Sequence, residues 1–332
     1  MSRSFQAIPI IDITNLASPE PAERSRVAEA LGHAARDVGF FYVRGHGVDE
    51  ALFDGLLEAA RQFFAQPLGV KMASYIGGSE NHSGYVPEGE EVFESGKIDA
   101  KEAFDVGLDR AGGEGGSPMA GPNLWPDLPG FREPVAAYYA AISDLARRMF
   151  RGFASALGLP EDHFDAHLSA PPSQLRMIHY PYNAEAAPDQ QGIGAHTDYE
   201  FFTLLRGTAP GLEVMNGEGR WIDAPPQPGC FVVNIGDMLE AWTNGAFVAT
   251  SHRVRKVAEE RYSFPFFATV DYWTTVAPHP AFVNAERPAR YPSLVSGEHL
   301  LAQTAKTFSY LKARAVTGTA GTRFGQAAKL KG

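Results

Sequence analysis

One cysteine, Cys230, among 332 residues excludes a disulfide within the chain and suits a reducing compartment. Its setting, Pro228-Gly229-Cys230-Phe231-Val232-Val233, reads as the start of a buried strand, which favours packing over nucleophilic chemistry. No apolar run approaches the ~20 residues that a membrane helix needs, and the short polar stretch Met1 to Ala7 does not read as a signal segment. Basic residues are outnumbered: 29 Lys and Arg face 39 Asp and Glu, giving a net charge of −10 with no basic run to offset it. That balance argues against nucleic acid or an anionic membrane as partner. Internal repeats, low-complexity tracts and a zinc-protease His-Glu-x-x-His helix motif are also missing. These absences predict a soluble, cytoplasmic protein, and with no strong exposed apolar helix in the sequence a monomer is the expected state.

The residues that are present can bury a large core, since 44% are hydrophobic. The first part reads as helical. Ser18-Pro19 resembles an N-cap and first turn; Val27, Leu31, Ala34, Ala35 and Val38 then recur at helical spacing, and Gly39 closes the helix. Phe40 to Val43 reads as a buried strand, and Asp49 caps a second helix that stops near Pro67. The stretch from Ile76 to Pro129 is loop-rich, dense in Gly, Pro and Glu, and a long helix runs from about Glu133 to Leu157.

From about Ser173 the pattern changes to short strands separated by turns, expected at Leu175–Tyr180, Thr203–Leu205, Glu213–Met215, Phe231–Ile235, Val254–Val257 and Tyr262–Val270. Asn216-Gly217-Glu218-Gly219 reads as a hairpin turn. Glu298 to Arg314 looks helical, and the tail after Thr317 is expected to be mobile. Many short strands after a helical start indicate an α+β chain with a mainly β core, a sandwich or jelly roll. One integrated domain is expected: residues 1–130 as an N-terminal helical and loop region, 131–172 as a supporting helix, 173–280 as the catalytic core, and 281–332 as a C-terminal helix and tail.

The chemistry concentrates in Gly192-Ile193-Gly194-Ala195-His196-Thr197-Asp198-Tyr199, followed 54 residues past the aspartate by His252. Residues two apart in an extended strand share a face, so His196 and Asp198 can hold one metal, with His252 as the third ligand. Two imidazoles and a carboxylate on one face of an iron leave the opposite positions open. Nine residues after His252 comes Arg261-Tyr262-Ser263, where Arg261 and Ser263 again share a face. A guanidinium beside a hydroxyl makes a carboxylate clamp. Taken alone, a His-x-Asp in a chain with ten histidines is a weak signal. The clamp after the third ligand strengthens it.

With these motifs the chain resembles the iron(II)- and 2-oxoglutarate-dependent oxygenases of the isopenicillin N synthase-like family. The likeness extends through Ile8-Pro9-Ile10-Ile11-Asp12, Gly39 to Gly47, Ser83-Gly84-Tyr85, Leu175 to Pro181 and Asn234-Ile235-Gly236-Asp237, so it covers residues 8 to 312. The resemblance implies a double-stranded β-helix, or jelly roll, flanked by an N-terminal helical region and a C-terminal helix. It implies a dioxygenase that uses Fe(II), dioxygen and 2-oxoglutarate as cosubstrate. Its products would be an oxidised small molecule (by hydroxylation, desaturation or cyclisation), succinate and carbon dioxide. His196, Asp198 and His252 are then the iron ligands and catalytic centre. Arg261 and Ser263 would hold the distal carboxylate of 2-oxoglutarate, and Tyr180 stands where the family often supplies a phenol to it. Ile178 departs from the pattern, occupying a position where many relatives carry asparagine.

Four residues are candidates for the substrate: Arg176, which is either in the cavity or a solvated rim residue; Tyr199 and Phe201, pocket wall or packing; and Glu90. The segment Ser83 to Glu91 is expected to fold over the site, with Glu90 or Glu91 meeting a cationic substrate, or else to be a solvated acidic loop. Three other functions stay open on the sequence. An isopenicillin N synthase-type oxidase would use Arg261 for its substrate and need no 2-oxoglutarate. A bacterial ethylene-forming enzyme, acting on 2-oxoglutarate with L-arginine, is locally similar around residues 83–92 and 192–199. A metal-binding β-barrel without turnover is the third.

Overall fold

Apolar residues at helical spacing generate the first layer. After strand β1 (Ile10–Asp12), helix α1 (Pro21–Asp37) buries Val27, Leu31, Ala34 and Ala35, and Gly39 turns the chain at φ 71° into β2 (Phe40–Arg44). Helix α2 (Glu50–Phe64) starts where the Asp49 carboxylate accepts a hydrogen bond from the Ala51 amide at 3.0 Å. Its face of Phe53, Leu56, Ala60, Phe63 and Phe64 is buried. A short α3 (Leu68–Met72) follows, and then the hairpin pair β3 (Gly84–Val86) and β4 (Glu102–Val106). The long α4 (Arg132–Ala156) packs against α1 and α2.

The remaining strands are β5 (Gln174–Tyr180), β6 (Ile193–His196), β7 (Phe202–Gly207), β8 (Leu212–Met215), β9 (Trp221–Asp223) and β10 (Phe231–Ile235). After α5 (Asp237–Trp242) come β11 (His252–Val254), β12 (Arg261–Ala268), the small pair β13 (Thr275–Val276) and β14 (Leu294–Val295), and helices α6 (Ser296–Thr307) and α7 (Ser309–Thr317). The structure, a computed structural model, describes residues 4–92, 99–110, 117–185 and 191–317, so the tail after Thr317 lies outside the described residues.

Eight strands form one sheet in the order β1-β2-β10-β7-β12-β5-β4-β3, and four form another, β6-β11-β8-β9. Strand alternation sorts side chains between two layers. Phe41, Val43, Leu175, Met177, Phe231, Val233, Phe264 and Phe266 join the core against the helices. Their neighbours Phe40, Tyr42, Ile178, Tyr180 and Val232 join Leu212, Val214 and Val254 in the core between the sheets. This sandwich is the double-stranded β-helix of the sequence reading, and it has helices at both ends of the chain.

Residues 1–130 give more than helices and loops, because they supply β1 to β4, half of the large sheet. Strands β3 and β4 lie in the stretch whose Gly, Pro and Glu content reads as loop; tertiary pairing with β5 overrides that composition. The C-terminal helix is broken at Phe308, whose extended backbone bridges to Glu91. Among the described residues, no helix is long and apolar enough to cross a membrane.

Candidate active site

His196 ends β6 and His252 begins β11, and the two are register partners on neighbouring antiparallel strands. Their imidazoles therefore stand side by side, with ring centroids 4.3 Å apart. The Nδ1 of His196 faces the Gly194 carbonyl at 2.8 Å, and that of His252 faces the Thr250 carbonyl at 3.3 Å. Each Nδ1 donates to its carbonyl, so each Nε2 turns its lone pair the other way. Both Nε2 atoms lie 3.6 Å from one oxygen, Asp198 Oδ1. Among the described residues this is the group whose potential ligand atoms converge, all within 4.8 Å of one another.

Electrostatics prepares these groups for a cation. Burial, reinforced by the neighbouring His252, pushes the His196 imidazole down to about 4. Burial acts to raise the Asp198 carboxyl, but the two imidazoles and the hydrogen bonds from Asn234 and Thr203 outweigh it and hold it below the usual range. At neutral pH the site thus offers a neutral His196 imidazole and an ionised carboxylate, the protonation state in which such side chains ligate a metal. Ligand atoms about 2.0–2.2 Å from an ion sit roughly 3–3.5 Å apart, and each histidine Nε2 here lies 3.6 Å from Asp198 Oδ1. The donor set therefore fits iron(II).

The triad opens into a cavity of about 130 Å³ between the sheets, lined on one side by Tyr180, Leu205, Leu212, Val254 and Ser263. Arg261 stands beside it, only 1% exposed. Its Nε donates to the Ala209 carbonyl at 3.1 Å, its Nη2 reaches Ser263 Oγ at 3.4 Å, and its guanidinium lies 4.7 Å from the Tyr180 ring centroid. Arg261 Nη1 is buried and has no hydrogen-bond partner. A buried guanidinium with an unused donor is costly unless a ligand oxygen completes it, and the fork beside the Ser263 hydroxyl has the chemistry to take a carboxylate.

The cavity lining also carries charge, and the sequence reading found only part of it. Arg176 Nε and Nη2 donate to the two Asp105 oxygens at 2.7 and 2.8 Å, and its Nη1 donates to Glu91 at 2.7 Å. Lys101 Nζ lies 2.7 Å from the other Glu91 oxygen and 3.6 Å from Asp99. Arg176 is thus buried in ion pairs and not solvated at a rim. Burial opposes ionisation of Glu91, but Arg176 and Lys101 prevail and hold its carboxyl well below the usual range. Lys101, Asp99 and Asp105 carry no local motif, and only the pairing of β4 with β5 brings Asp105 to Arg176.

Of the other candidates, Tyr199 lines the cavity. Phe201 does not: it is fully buried among Phe150, Phe164 and Trp242 at centroid distances of 5.6, 5.9 and 5.7 Å, which is packing. Glu90 also stays off the cavity. It accepts from Tyr75 Oη at 2.7 Å and the Tyr310 amide at 2.8 Å, while its carbonyl takes the Ser309 amide at 2.9 Å, so it anchors the C-terminal segment. That segment places Thr304, Thr307 and Phe308 on the cavity. Glu91, one residue on, lines the cavity, as does Glu200 just past Asp198.

The family described as "non-haem dioxygenase in morphine synthesis N-terminal" matches residues 8–128, and "2OG-Fe(II) oxygenase superfamily" matches residues 172–270. A homoarginine-6-hydroxylase of Oryza sativa subsp. japonica is 36% identical over 329 residues, covering 93% of this chain and 99% of the relative. The crystal structure of a full-length Neurospora crassa protein in complex with alpha-KG and thymine aligns at TM-score 0.81 and 27% identity, over 90% of this chain and 96% of that one. A putative 2OG-Fe(II) oxygenase family protein from Caulobacter crescentus aligns at TM-score 0.81 and 32% identity, over 91% and 99%.

Proposed function

Because this chain belongs to the 2OG-Fe(II) oxygenase superfamily and is an iron(II)- and 2-oxoglutarate-dependent dioxygenase, we propose that His196, Asp198 and His252 are its iron ligands and that it hydroxylates a small basic molecule. The observation that carries the ligand assignment is the convergence of two imidazole Nε2 atoms on one Asp198 oxygen, 3.6 Å from each. When bound, iron(II) with 2-oxoglutarate supplies dioxygen activation, with decarboxylation of the keto acid to succinate and carbon dioxide.

The protein's part is binding, orientation and exclusion of water. Arg261 and Ser263 take the far carboxylate of 2-oxoglutarate, and Tyr180 packs its ring against the guanidinium. Phe308, Thr304 and Thr307 line the cavity from the C-terminal segment. Glu91 lines the cavity as a carboxylate held ionised by Lys101 and Arg176, an acidic group for a substrate with a cationic group to meet. A relative that covers nearly the whole chain carries the name homoarginine-6-hydroxylase, in keeping with that class. One cysteine and an acidic balance fit a cytoplasmic protein.

Anaerobic titration of the iron(II)-loaded protein with 2-oxoglutarate tests the cofactor arrangement. The weak visible charge-transfer band of a chelated keto acid is expected, and it should be lost in Arg261→Ala. Iron binding without the band would transfer Arg261 to the substrate, as in an isopenicillin N synthase-type oxidase. Succinate release with L-arginine, L-homoarginine and L-lysine, set against thymine, tests the substrate class. Turnover with thymine and none with the basic amino acids would sink it.

A further inference from the structure

We infer that Asn234-Ile235-Gly236-Asp237, together with Thr203, is a positioning element that makes Asp198 a ligand through one oxygen only; the inference rests on the ligand assignment above. Asn234 and Thr203 are register partners on β10 and β7 of the large sheet, and both are almost fully buried. The Asn234 Nδ2 donates to Asp198 Oδ2 at 2.8 Å, and the Thr203 hydroxyl donates to the same oxygen. Two donors occupy Oδ2, so only Oδ1 remains for the centre where the two histidines converge.

The main chain of the segment fixes the same aspartate. The Asp237 amide donates to the Asp198 carbonyl at 2.8 Å, the Gly236 amide to the Phe201 carbonyl at 2.9 Å, and the Met238 amide to the Glu200 carbonyl at 3.2 Å. Glycine is required at 236 by this approach: a Cβ there would stand 2.2 Å from the Glu200 carbonyl oxygen and 3.2 Å from that of Asp198. Asp198 lies just past the end of β6, outside the register that pairs β6 with β11. The large sheet therefore supplies the orientation that the small sheet, which carries both histidines, does not. A carboxylate free to turn could chelate through both oxygens and occupy a position that dioxygen or 2-oxoglutarate needs; held at Oδ2, it leaves that position open.

The test is metal affinity, measured with Co(II) alone and with Fe(II) alone under anaerobic conditions. Thr203→Val and Asn234→Leu are expected to weaken binding about 10- to 100-fold each. The cobalt d–d spectrum should change as Oδ2 becomes available, and Thr203→Ser should restore wild-type affinity and spectrum. Either substitution suffices if the other does not fold. His252→Ala separates the two levels of argument. If His252→Ala binds metal as the wild type does, the ligand assignment falls and this inference with it. If His252→Ala loses the metal while Thr203→Val and Asn234→Leu keep affinity and spectrum, the assignment stands and the inference is overturned. A fall in thermal midpoint alone, without a metal effect, also overturns it.

Discussion

Arg176 and Asp105 are register partners on adjacent strands, joined by two parallel hydrogen bonds of 2.7 and 2.8 Å, and the Asp105 carboxylate is completely buried. Arg176 lines the cavity, and Glu91 extends the pair to Lys101. A geometry of this kind holds the wall in one arrangement, because each charge needs the others to stay paired.

Breaking that pair has a definite expected effect. Arg176→Met leaves Asp105 and Glu91 buried without their guanidinium, which costs about 3–5 kcal/mol of folding stability. Denaturant unfolding of the metal-free protein measures it. The double variant Arg176→Met/Asp105→Leu should recover much of the loss, since no carboxylate is then stranded at 105. A loss below about 1 kcal/mol in the single variant would mean that water reaches the wall and screens it.

Arg261→Lys separates the clamp from the chemistry. Lysine offers a point charge but not the fork that reaches Ala209 and Ser263 at once. Losing one charge-assisted hydrogen bond to a carboxylate, about 1.5–3 kcal/mol, raises the 2-oxoglutarate KM by roughly 10- to 100-fold. The kcat at saturating 2-oxoglutarate should stay within a few-fold, because the clamp holds the cosubstrate equally before and during reaction. Succinate release against 2-oxoglutarate concentration gives both constants. An unchanged KM with a collapsed kcat would remove Arg261 from the clamp.

Much of this site is legible in the sequence, and the boundary is physical. His196 and Asp198, two positions apart, are put on one face by the extended-chain period that the sequence displays, although in the structure β6 ends at His196 and Asp198 lies just past it. Arg261 and Ser263 obey the same rule within β12. The Asp49 cap, the α4 span and the hairpin at Asn216-Gly217 are local events too, and the structure has them where the residues put them. Partners set by tertiary pairing are not legible in this way. Asp105 meets Arg176 only through β4–β5 register, and Glu90 meets Tyr310 across 220 residues of chain. Glu90 and Glu91 look equivalent in sequence. Alternation sends one to the C-terminal segment and the other to the cavity.

Glu200 provides a pH signature that does not depend on turnover. It lines the cavity two residues from Asp198, and burial, then the Asp198 charge, pushes its carboxyl up from 4.5 to about 8. The folded state therefore keeps a proton that the unfolded chain releases. The resulting stability is fully present below pH 4.5 and is lost progressively as the pH rises to about 8. Chelator-treated protein should show urea midpoints that decline between about pH 5 and about pH 8. Glu200→Gln cannot titrate, so it should flatten that decline and gain on the wild type as the pH rises. Parallel pH profiles for the two proteins would show that Glu200 is already ionised in the folded state, with solvent in the cavity or a nearby cation offsetting Asp198.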